Sequence, residues 1–237
     1  MTMAREGGSV LLAIDTATRM ASLALYDGER VCAEETWLSR NQHTVELMPS
    51  LVRMLERQGI GPQDLRGIAV ALGPGSFTGL RVGLSVAKGL ALALSIPLVG
   101  IPTLDVLAYA QPARHSPLCA VVRAGRGRVC AALYRRRRGR WRRQGDYRIA
   151  TIAELCAEVE GRTFFCGEIG AQEAQLLRER LGERAVVASP ASSLRRAGYL
   201  AELGYERLER GEVDDPATLS PIYLHRPKIP LDSDKGG

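Results

Sequence analysis

The stretch that decides the fold is IAVALGPGSFTGLRVGLSVAKGLALAL, residues 68–94. An apolar run ends at Leu72, a turn rich in glycine and proline follows, and small and apolar residues then recur with helical spacing. This order predicts a strand, a tight loop and a long helix, with Thr78 as the helix N-cap. Neither GxxxxGK[ST] nor GxGxxG is present, so the loop matches no phosphate-binding motif.

Small residues recur along the predicted helix, although each interior glycine costs about 1 kcal/mol relative to alanine. Close packing must offset that cost. Two partners for such packing are open: the sheet of the same lobe, or a helix of a second protein chain.

Strands and helices continue on both sides of this stretch. The predicted elements are strands over residues 9–15, 21–26 and 30–37, a helix over 41–57 and a strand over 67–72. After the central helix come a strand over 97–101 and a helix over 103–110. Three opening strands followed by alternating helices and strands predict an α/β fold with a mixed sheet and helices on its faces. The order is similar to one lobe of the actin, hexokinase and Hsp70 superfamily.

The pattern in the second half of the sequence predicts the same order of strands and helices, with shorter elements. Its elements are strands over residues 118–124, 128–135, 141–149, 163–166 and 185–187 and helices over 152–159, 170–181 and 192–210, the last capped by Ser192. We therefore expect a two-lobed chain, with residues 1–112 as the first lobe and 113–226 as a smaller second lobe. The helix over 192–210 is expected to pack back on the first lobe. A last edge segment over 219–224 and a disordered tail over 227–237 complete the prediction.

In the actin-like superfamily, the first hairpin carries an aspartate and small polar residues that approach nucleotide phosphates or their metal. At that place this chain has Asp15 and Thr16. The glycine-rich loop before the long helix adds Gly73, Gly75 and Ser76 as candidates for phosphate contact. An alternative is that Asp15 pairs with loop amides and that residues 73–78 form only a tight turn. The glycine that follows this aspartate in sugar kinases is replaced by Thr16, which favours the alternative.

Charge is concentrated in one segment. The chain of 237 residues has a formal net charge of +6, but residues 123–148 hold eleven arginines and one acidic residue, Asp146. Arginines pair with phosphates, and an interleaved aromatic can stack on an unpaired base. The candidates for nucleic-acid contact are Arg135, Arg136, Arg137, Arg138 and Trp141. The alternative is a solvated hairpin in an arginine-rich proteome.

Cysteine and histidine usage makes several kinds of site improbable. The five cysteines include no CxxC pair, so neither a disulfide framework nor a zinc framework is indicated. The three histidines, His43, His115 and His225, are far apart in sequence, so we expect no metal site. His43 could pair with Glu46 as a ligand, but a place at the start of the helix, as a cap or a partner contact, is favoured. No stretch reaches the roughly 18 apolar residues of a membrane span, and we expect a soluble cytoplasmic protein.

Several segments together resemble the bacterial TsaB family, also called YeaZ. They are LLAIDTATRMASLALYDG, HTVELMPSLVRML, GIAVALGPGSFTGLRVGLSVAKGLALAL, IPLVGIPTLDVLA and SPIYLHR. The resemblance implies a two-lobed actin-like subunit without catalysis of its own. Such a subunit binds and activates the TsaD-type transferase that makes N6-threonylcarbamoyladenosine in tRNA, and a TsaE-type ATPase completes the assembly. No cofactor is expected in the isolated chain, although ATP or ADP within the complex is consistent with the family.

The resemblance also implies that the partner binds helices of the first lobe, over residues 41–57 and 79–94, and that family members can form homodimers there. The expected interface residues are His43, Leu47, Leu51, Leu55, Gly79, Gly83, Ala87 and Leu90. On this prediction, Gly83→Arg or Ala87→Arg leaves the fold intact and abolishes pairing, because a large charge cannot be desolvated in a helix contact.

One feature separates the chain from the catalytic relative, and another departs from the pattern of the family itself. The transferase holds its metal with a HxxxH pair, since side chains at i and i+4 lie together on a helix, and the corresponding residues 103–107 here are TLDVL. The Asp-Ala-Arg motif usual in the family is replaced by Arg123-Ala124-Gly125, which puts any ligand contact of that motif in doubt. The alternative functions are an actin-fold ATPase or small-molecule kinase using Asp15 and residues 73–78, and a general RNA-binding protein.

Overall fold

Two five-stranded sheets, each flanked by helices, form the two lobes of the computed structural model, which describes residues 10–40 and 42–224. Sheet 1 has the order β3-β2-β1-β4-β5, with β1 antiparallel to β2 and parallel to β4. Its strands are β1 (Val10–Asp15), β2 (Met20–Tyr26), β3 (Val31–Leu38), β4 (Leu65–Ala71) and β5 (Leu98–Ile101). The predicted mixed sheet is confirmed.

Three helices belong to this lobe: α1 (His43–Gln58), α2 (Phe77–Leu94) and α3 (Thr103–Tyr109). The N-cap of α2 is Ser76, whose hydroxyl accepts a hydrogen bond from the Gly79 amide at 3.3 Å. The prediction of Thr78 as the cap is wrong, because the helix begins one residue earlier, at Phe77.

Sheet 2 repeats the strand order of sheet 1, as β8-β7-β6-β9-β10. Its strands are β6 (Leu118–Gly125), β7 (Arg128–Arg137), β8 (Arg140–Ala150), β9 (Thr163–Gly167) and β10 (Ala185–Val187), and its outer helices are α4 (Ile152–Ala157) and α5 (Ala171–Leu181). These helices have 6 and 11 residues, whereas α1 and α2 have 16 and 18. The prediction of a shortened second lobe is confirmed.

The last helix, α6 (Ala197–Glu209), packs on sheet 1 through Leu200 and Ala201. Its N-cap is Arg196, so the predicted cap Ser192 is wrong: residues 190–196 form turns and an extended lead into the helix. The predicted strand over 219–224 is also not found; the segment is irregular and touches the first lobe where the Ile222 amide donates to the Leu72 carbonyl at 2.8 Å. The predicted disordered tail lies outside the described residues.

Alternate residues of the strands face opposite layers. Leu12 and Ile14 of β1 pack under α1 and α2, whereas Leu11 and Ala13 face α6. Sheet 2 is covered by α3 on one side and by α4 and α5 on the other. The order of layers is therefore α1 and α2, sheet 1, α6 and α3, sheet 2, α4 and α5. Strands that are covered on both faces consist of nearly continuous apolar runs.

The helix α2 is long and apolar enough to span a membrane by length and composition. Three of its apolar side chains, Leu84, Ala87 and Ala91, are buried in the core of the first lobe. Packing on sheet 1 therefore accounts for these three residues, whereas Phe77 and Leu92 of the same helix are exposed.

Candidate functional site

The glycines of α2 bring this helix against the turn between β1 and β2. A Cβ added at Gly83 would overlap Thr16 Oγ1, and one added at Gly79 would overlap the Thr16 carbonyl oxygen. The Thr16 hydroxyl donates to the Gly79 carbonyl at 2.7 Å and fixes the contact. Of the two packing partners that the sequence left open, the sheet and turn of the same lobe explain Gly79 and Gly83.

Most of the predicted interface residues lie in the interior of the lobe. Leu47, Leu51 and Ala87 are at most 2% exposed and belong to one core cluster. Gly79, Gly83 and His43 are also buried, and Leu55 and Leu90 are half-buried against the same cluster. The structure thus corrects the expectation for the buried six: their surfaces are already covered by sheet 1 and by each other.

A different set of apolar side chains on α1 faces solvent. Val45, Met48 and Val52 are 65%, 38% and 45% exposed. Because residues at i, i+3 and i+7 share one face of a helix, they form a stripe along the outside of α1, which we call the α1 stripe. On α2, which covers the same face of sheet 1, Gly89 and Ala93 are exposed, and a Cβ at Gly89 would meet no atom within 4 Å.

In the sequence, these α1 residues belong to one broad apolar pattern that also includes Leu51 and Leu55. The pattern covers more of the helix circumference than packing on one sheet requires. That extra width is the sequence feature that could have indicated a second apolar surface on α1. The α1 stripe is the part of the pattern that the fold leaves uncovered.

His43 and Glu46 do not form a ligand pair. The Glu46 carboxylate accepts a hydrogen bond from the Trp37 indole at 3.0 Å, and hydrogen bonds from Ser39 and Trp37 lower the pKa of Glu46. His43 Nδ1 is buried without a hydrogen-bond partner, and its ring lies against Gly79. Across residues 10–40 and 42–224, no group of three histidine, cysteine, aspartate or glutamate residues could hold a metal ion.

The carboxylate of Asp15 is engaged in a buried ion pair. Arg195 Nε donates to Asp15 Oδ2 at 2.7 Å, and the Ala17 amide donates to Asp15 Oδ1 at 2.9 Å. The same guanidinium also donates to Thr18 Oγ1 and to the Met20 carbonyl. Burial alone would lower the pKa of Arg195, but the Asp15 carboxylate outweighs it and raises that pKa. Both oxygens of Asp15 are therefore occupied by donors from this chain.

The loop before α2 is closed against the same turn. The Ser76 amide donates to the Ala17 carbonyl at 2.6 Å, and the Ser76 hydroxyl caps α2. A Cβ at Gly75 would overlap the Ala17 carbonyl oxygen. The structure brings four of the predicted phosphate-contact residues to one corner of the first lobe: Asp15, Thr16, Gly75 and Ser76. Gly73 lies instead beside Leu80 and Ile222, and its carbonyl accepts a hydrogen bond from the Thr103 amide.

An open cleft of about 680 Å³ lies beside this corner, between the two lobes. On its second-lobe wall, the Arg123 amide donates to Glu168 Oε2 at 2.8 Å, and the Arg123 side chain pairs with Glu173 at 3.3 Å. Glu168 also lies 3.9 Å from the Arg195 guanidinium. The arginine that replaces the family's aspartate at position 123 is thus held by two acids of its own lobe.

The arginine-rich segment forms the hairpin of β7 and β8, at the edge of sheet 2. Its inner face carries Tyr134, Arg136, Trp141 and Arg143, and the Tyr134 hydroxyl donates to Asp105 of α3 at 2.6 Å. The Trp141 indole donates to the Gln111 carbonyl at 3.1 Å. By strand register the outer face carries Arg135, Arg137, Arg140 and Arg142.

Comparisons with known proteins agree with this architecture. The family model described as TsaD, tRNA N6-adenosine threonylcarbamoyltransferase, matches residues 37–175. The Bacillus subtilis tRNA threonylcarbamoyladenosine biosynthesis protein TsaB is 31% identical over 217 residues, covering 90% of this chain and 93% of that protein. The Escherichia coli TsaB protein is 36% identical over 128 residues, covering 53% of this chain and 55% of that protein.

Solved structures give the same result at the level of the fold. A Pseudomonas aeruginosa protein described as similar to peptidase YeaZ matches with a TM-score of 0.75 and 26% identity, covering 92% of this chain and all of that one. A ROK hexokinase from Thermus thermophilus matches with a TM-score of 0.51 and 10% identity, covering 85% of this chain and all of that one. The predicted actin- and hexokinase-like fold is confirmed.

Proposed function

The chain belongs to the TsaB (YeaZ) family of tRNA threonylcarbamoyladenosine biosynthesis proteins, and we propose that it acts as a non-catalytic subunit that binds and activates a TsaD-type transferase. The α1 stripe is the observation that carries this proposal. Exposed apolar side chains aligned on one helix face are the usual core of a protein interface. The proposed assembly also includes a TsaE-type ATPase and the tRNA substrate, in the cytoplasm.

Partner binding is assigned to the outer surfaces of α1 and α2. Val45, Met48 and Val52 would supply the apolar contact, while Gly89 and Ala93 would let a partner helix approach α2 closely. A homodimer through this same surface is the competing state of the free chain. The transferase and a second copy of the chain would then exclude each other.

The chain's own residues support a role without chemistry. Residues 103–107, which replace the HxxxH pair of the transferase, lie in α3, where Thr103, Leu104, Val106 and Leu107 are all buried between the lobes. These four side chains contribute to the interior. The fifth residue, Asp105, lines the groove beside the β7–β8 hairpin and accepts a hydrogen bond from Tyr134. We propose neither peptidase nor ATPase activity for the free chain.

The alternative function, an ATPase or kinase using Asp15 and residues 73–78, would require Asp15 to exchange Arg195 for a metal-bound phosphate. Breaking a buried ion pair costs several kcal/mol, and α6, whose N-cap adjoins Arg195, would have to shift. We therefore assign any ATP or ADP in the assembly to the partners.

The test uses light scattering coupled to size-exclusion chromatography on this chain, the TsaD-type protein of the same organism, and their mixture. We expect a stable mixed complex, faster threonylcarbamoyl transfer to tRNA in its presence, and no ATP turnover by the free chain. Failure to associate, together with ATP turnover that Asp15→Asn abolishes, would establish the alternative instead.

A further inference from the structure

The hairpin of β7 and β8 extends beyond the helices that cover sheet 2. Its strands are joined by a two-residue turn, Arg138-Gly139, with φ angles of 51° and 79°, as a tight hairpin requires. Near the sheet centre, Val129 and Ala131 of β7 pack under α4 and α5. Further along the same face Leu133 is exposed, so the outer half of the hairpin lies open to solvent.

Like charges face each other across this open half. Arg135 lies directly opposite Arg142, and Arg137 lies directly opposite Arg140. Like charges at opposite positions of an antiparallel pair are destabilising. Of these four residues, only Arg140 has an ion-pair partner in the described chain, Glu206 at 2.6 Å. We call Arg135, Arg137 and Arg142 the arginine face.

Protection of an edge strand explains this pattern only in part. Charged side chains on an edge strand do prevent pairing with other chains, and β8 is an edge strand. However, β3, the edge strand of sheet 1, has the sequence VCAEETWL and contains no arginine. One or two charges of either sign would protect β8, whereas the arginine face concentrates a single sign.

The groove on the other side of the hairpin is a weaker candidate for an anion. It has a volume of about 880 Å³ and is lined by three acids, Asp105, Glu206 and Glu212, and by six arginines: Arg136, Arg140, Arg142, Arg143, Arg207 and Arg210. Three of these arginines form ion pairs, Arg140 with Glu206, and Arg207 and Arg210 with Glu212. Arg143 lies over the ring of Tyr147 at 4.0 Å. Trp141 donates its indole N–H to Gln111 and packs against the core of the second lobe. It therefore anchors the hairpin to the segment that follows α3 and does not form an exposed platform for a base.

The arginine face and the proposed transferase surface lie in different layers of the molecule. The hairpin contacts α6 through the pair of Arg140 and Glu206, and α6 lies on the side of sheet 1 opposite to α1 and α2. A ligand on the hairpin therefore leaves the α1 stripe free. Both surfaces can be occupied at once.

We propose that the arginine face binds the phosphodiester backbone of tRNA while α1 and α2 hold the transferase. The identity of the RNA rests on the proposed function; the polyanion chemistry rests on the uncompensated arginines. Arginine contacts to phosphates release counterions, so the interaction is independent of base sequence and weakens steeply with salt. Its role is to position tRNA on the assembled complex.

The test measures binding of fluorescently labelled tRNA by anisotropy at several KCl concentrations, for the free chain and for the complex. The reversal variant carries Arg135→Glu, Arg137→Glu and Arg142→Glu. A second variant replaces the same three residues by lysine. A control of equal charge change carries Arg162→Glu, Arg178→Glu and Arg180→Glu, all exposed elsewhere on the second lobe.

We expect the reversal variant to bind tRNA at least tenfold more weakly, with its slope of log affinity against log salt reduced by about 2, since each lost phosphate contact contributes roughly 0.7–0.9. The lysine variant should keep the slope, and the control should stay within twofold of the parent chain. Equal losses in the reversal and control variants would overturn the proposal, as would displacement of tRNA by polyglutamate as readily as by unlabelled tRNA.

Transferase binding is measured in parallel on the same variants. Retained association of the reversal variant with the transferase, together with weakened tRNA binding, supports two separate surfaces. If the parent chain bound tRNA through the arginine face but never bound the transferase, the proposed function would fail and the RNA-binding surface would stand.

Discussion

The outer helices of the two lobes occupy matching positions but present different surfaces to solvent. Both pairs cover the same side of a sheet with the same strand order. Among the described residues, the exposed large apolar side chains on α1 and α2 are Val45, Met48, Val52, Phe77 and Leu92, whereas α4 and α5 carry none. The fold therefore does not require exposed apolar residues at this position. Binding of the proposed transferase partner to α1 and α2 would explain why only the first lobe has them.

The first turns of the two lobes differ in a complementary way. The turn between β1 and β2 is closed by Arg195, which pairs with Asp15. The matching turn between β6 and β7 is exposed and has Arg126 at its tip. In the first lobe the turn between β1 and β2 is buried and the outer helices carry exposed apolar residues. In the second lobe the turn between β6 and β7 is exposed and the outer helices carry no exposed large apolar residues among those described.

The largest expected effect comes from breaking the inner surface of α2. Ala87→Arg would place a charge in the core of the first lobe, and we expect a loss of about 3 kcal/mol or more in the free energy of unfolding. This revises the expectation from sequence that the fold would survive. Urea titration followed by circular dichroism measures the loss. Ala93→Arg, on the exposed side of the same helix, should change stability by at most about 0.5 kcal/mol; equal effects would contradict the buried assignment.

The next largest loss in the free energy of unfolding should follow from removing the ion pair that closes the turn between β1 and β2. Arg195→Met leaves the buried Asp15 carboxylate without its partner, which costs roughly 3 kcal/mol. Arg126→Met, at the exposed matching turn, should cost no more than about 0.5 kcal/mol. Thermal unfolding of both variants compares the two turns. If Arg195→Met were as stable as the parent chain, the ion pair would not hold the corner closed.

The smallest effects separate two glycines of one helix. Gly83→Ala should destabilise the protein by about 1 kcal/mol, because its methyl group overlaps Thr16 and overpacking outweighs the gain in helix propensity. Gly89→Ala meets no neighbouring atom and should stabilise it by up to about 1 kcal/mol. Urea titration of both variants gives the two signs. The same sign for both would show that the close contact with Thr16 is not what selects glycine at position 83.

The order of strands and helices along the chain follows from local patterns, and the sequence predicted it well. Which side of a helix faces inward is harder to predict when apolar residues surround most of it. Along α1, Leu51 and Val52 are adjacent in sequence, yet one is buried and the other exposed. Periodicity marks both as apolar, so the predicted interface included Leu47 and Leu51 from the core and omitted Val45, Met48 and Val52.

Long-range polar contacts could not be predicted at all. Asp15 and Arg195 are 180 positions apart, and Arg195 lies before a helix whose predicted start was several residues too early. Nothing in the local sequence distinguishes this arginine from its neighbour Arg196. The side chain of Arg196 is 50% exposed and pairs with Glu34. The closed corner is a consequence of α6 returning to sheet 1.

The most direct test of the partner surface is the dissociation constant of the complex with the TsaD-type protein, measured by titration calorimetry. We compare Met48→Arg/Val52→Arg on the α1 stripe with Gln172→Arg/Gln175→Arg, which adds the same charge on the outside of α5. The account predicts at least a hundredfold weaker binding for the first variant, folded as stably as the parent chain, and unchanged binding for the second. Unchanged binding by a folded Met48→Arg/Val52→Arg variant would contradict it.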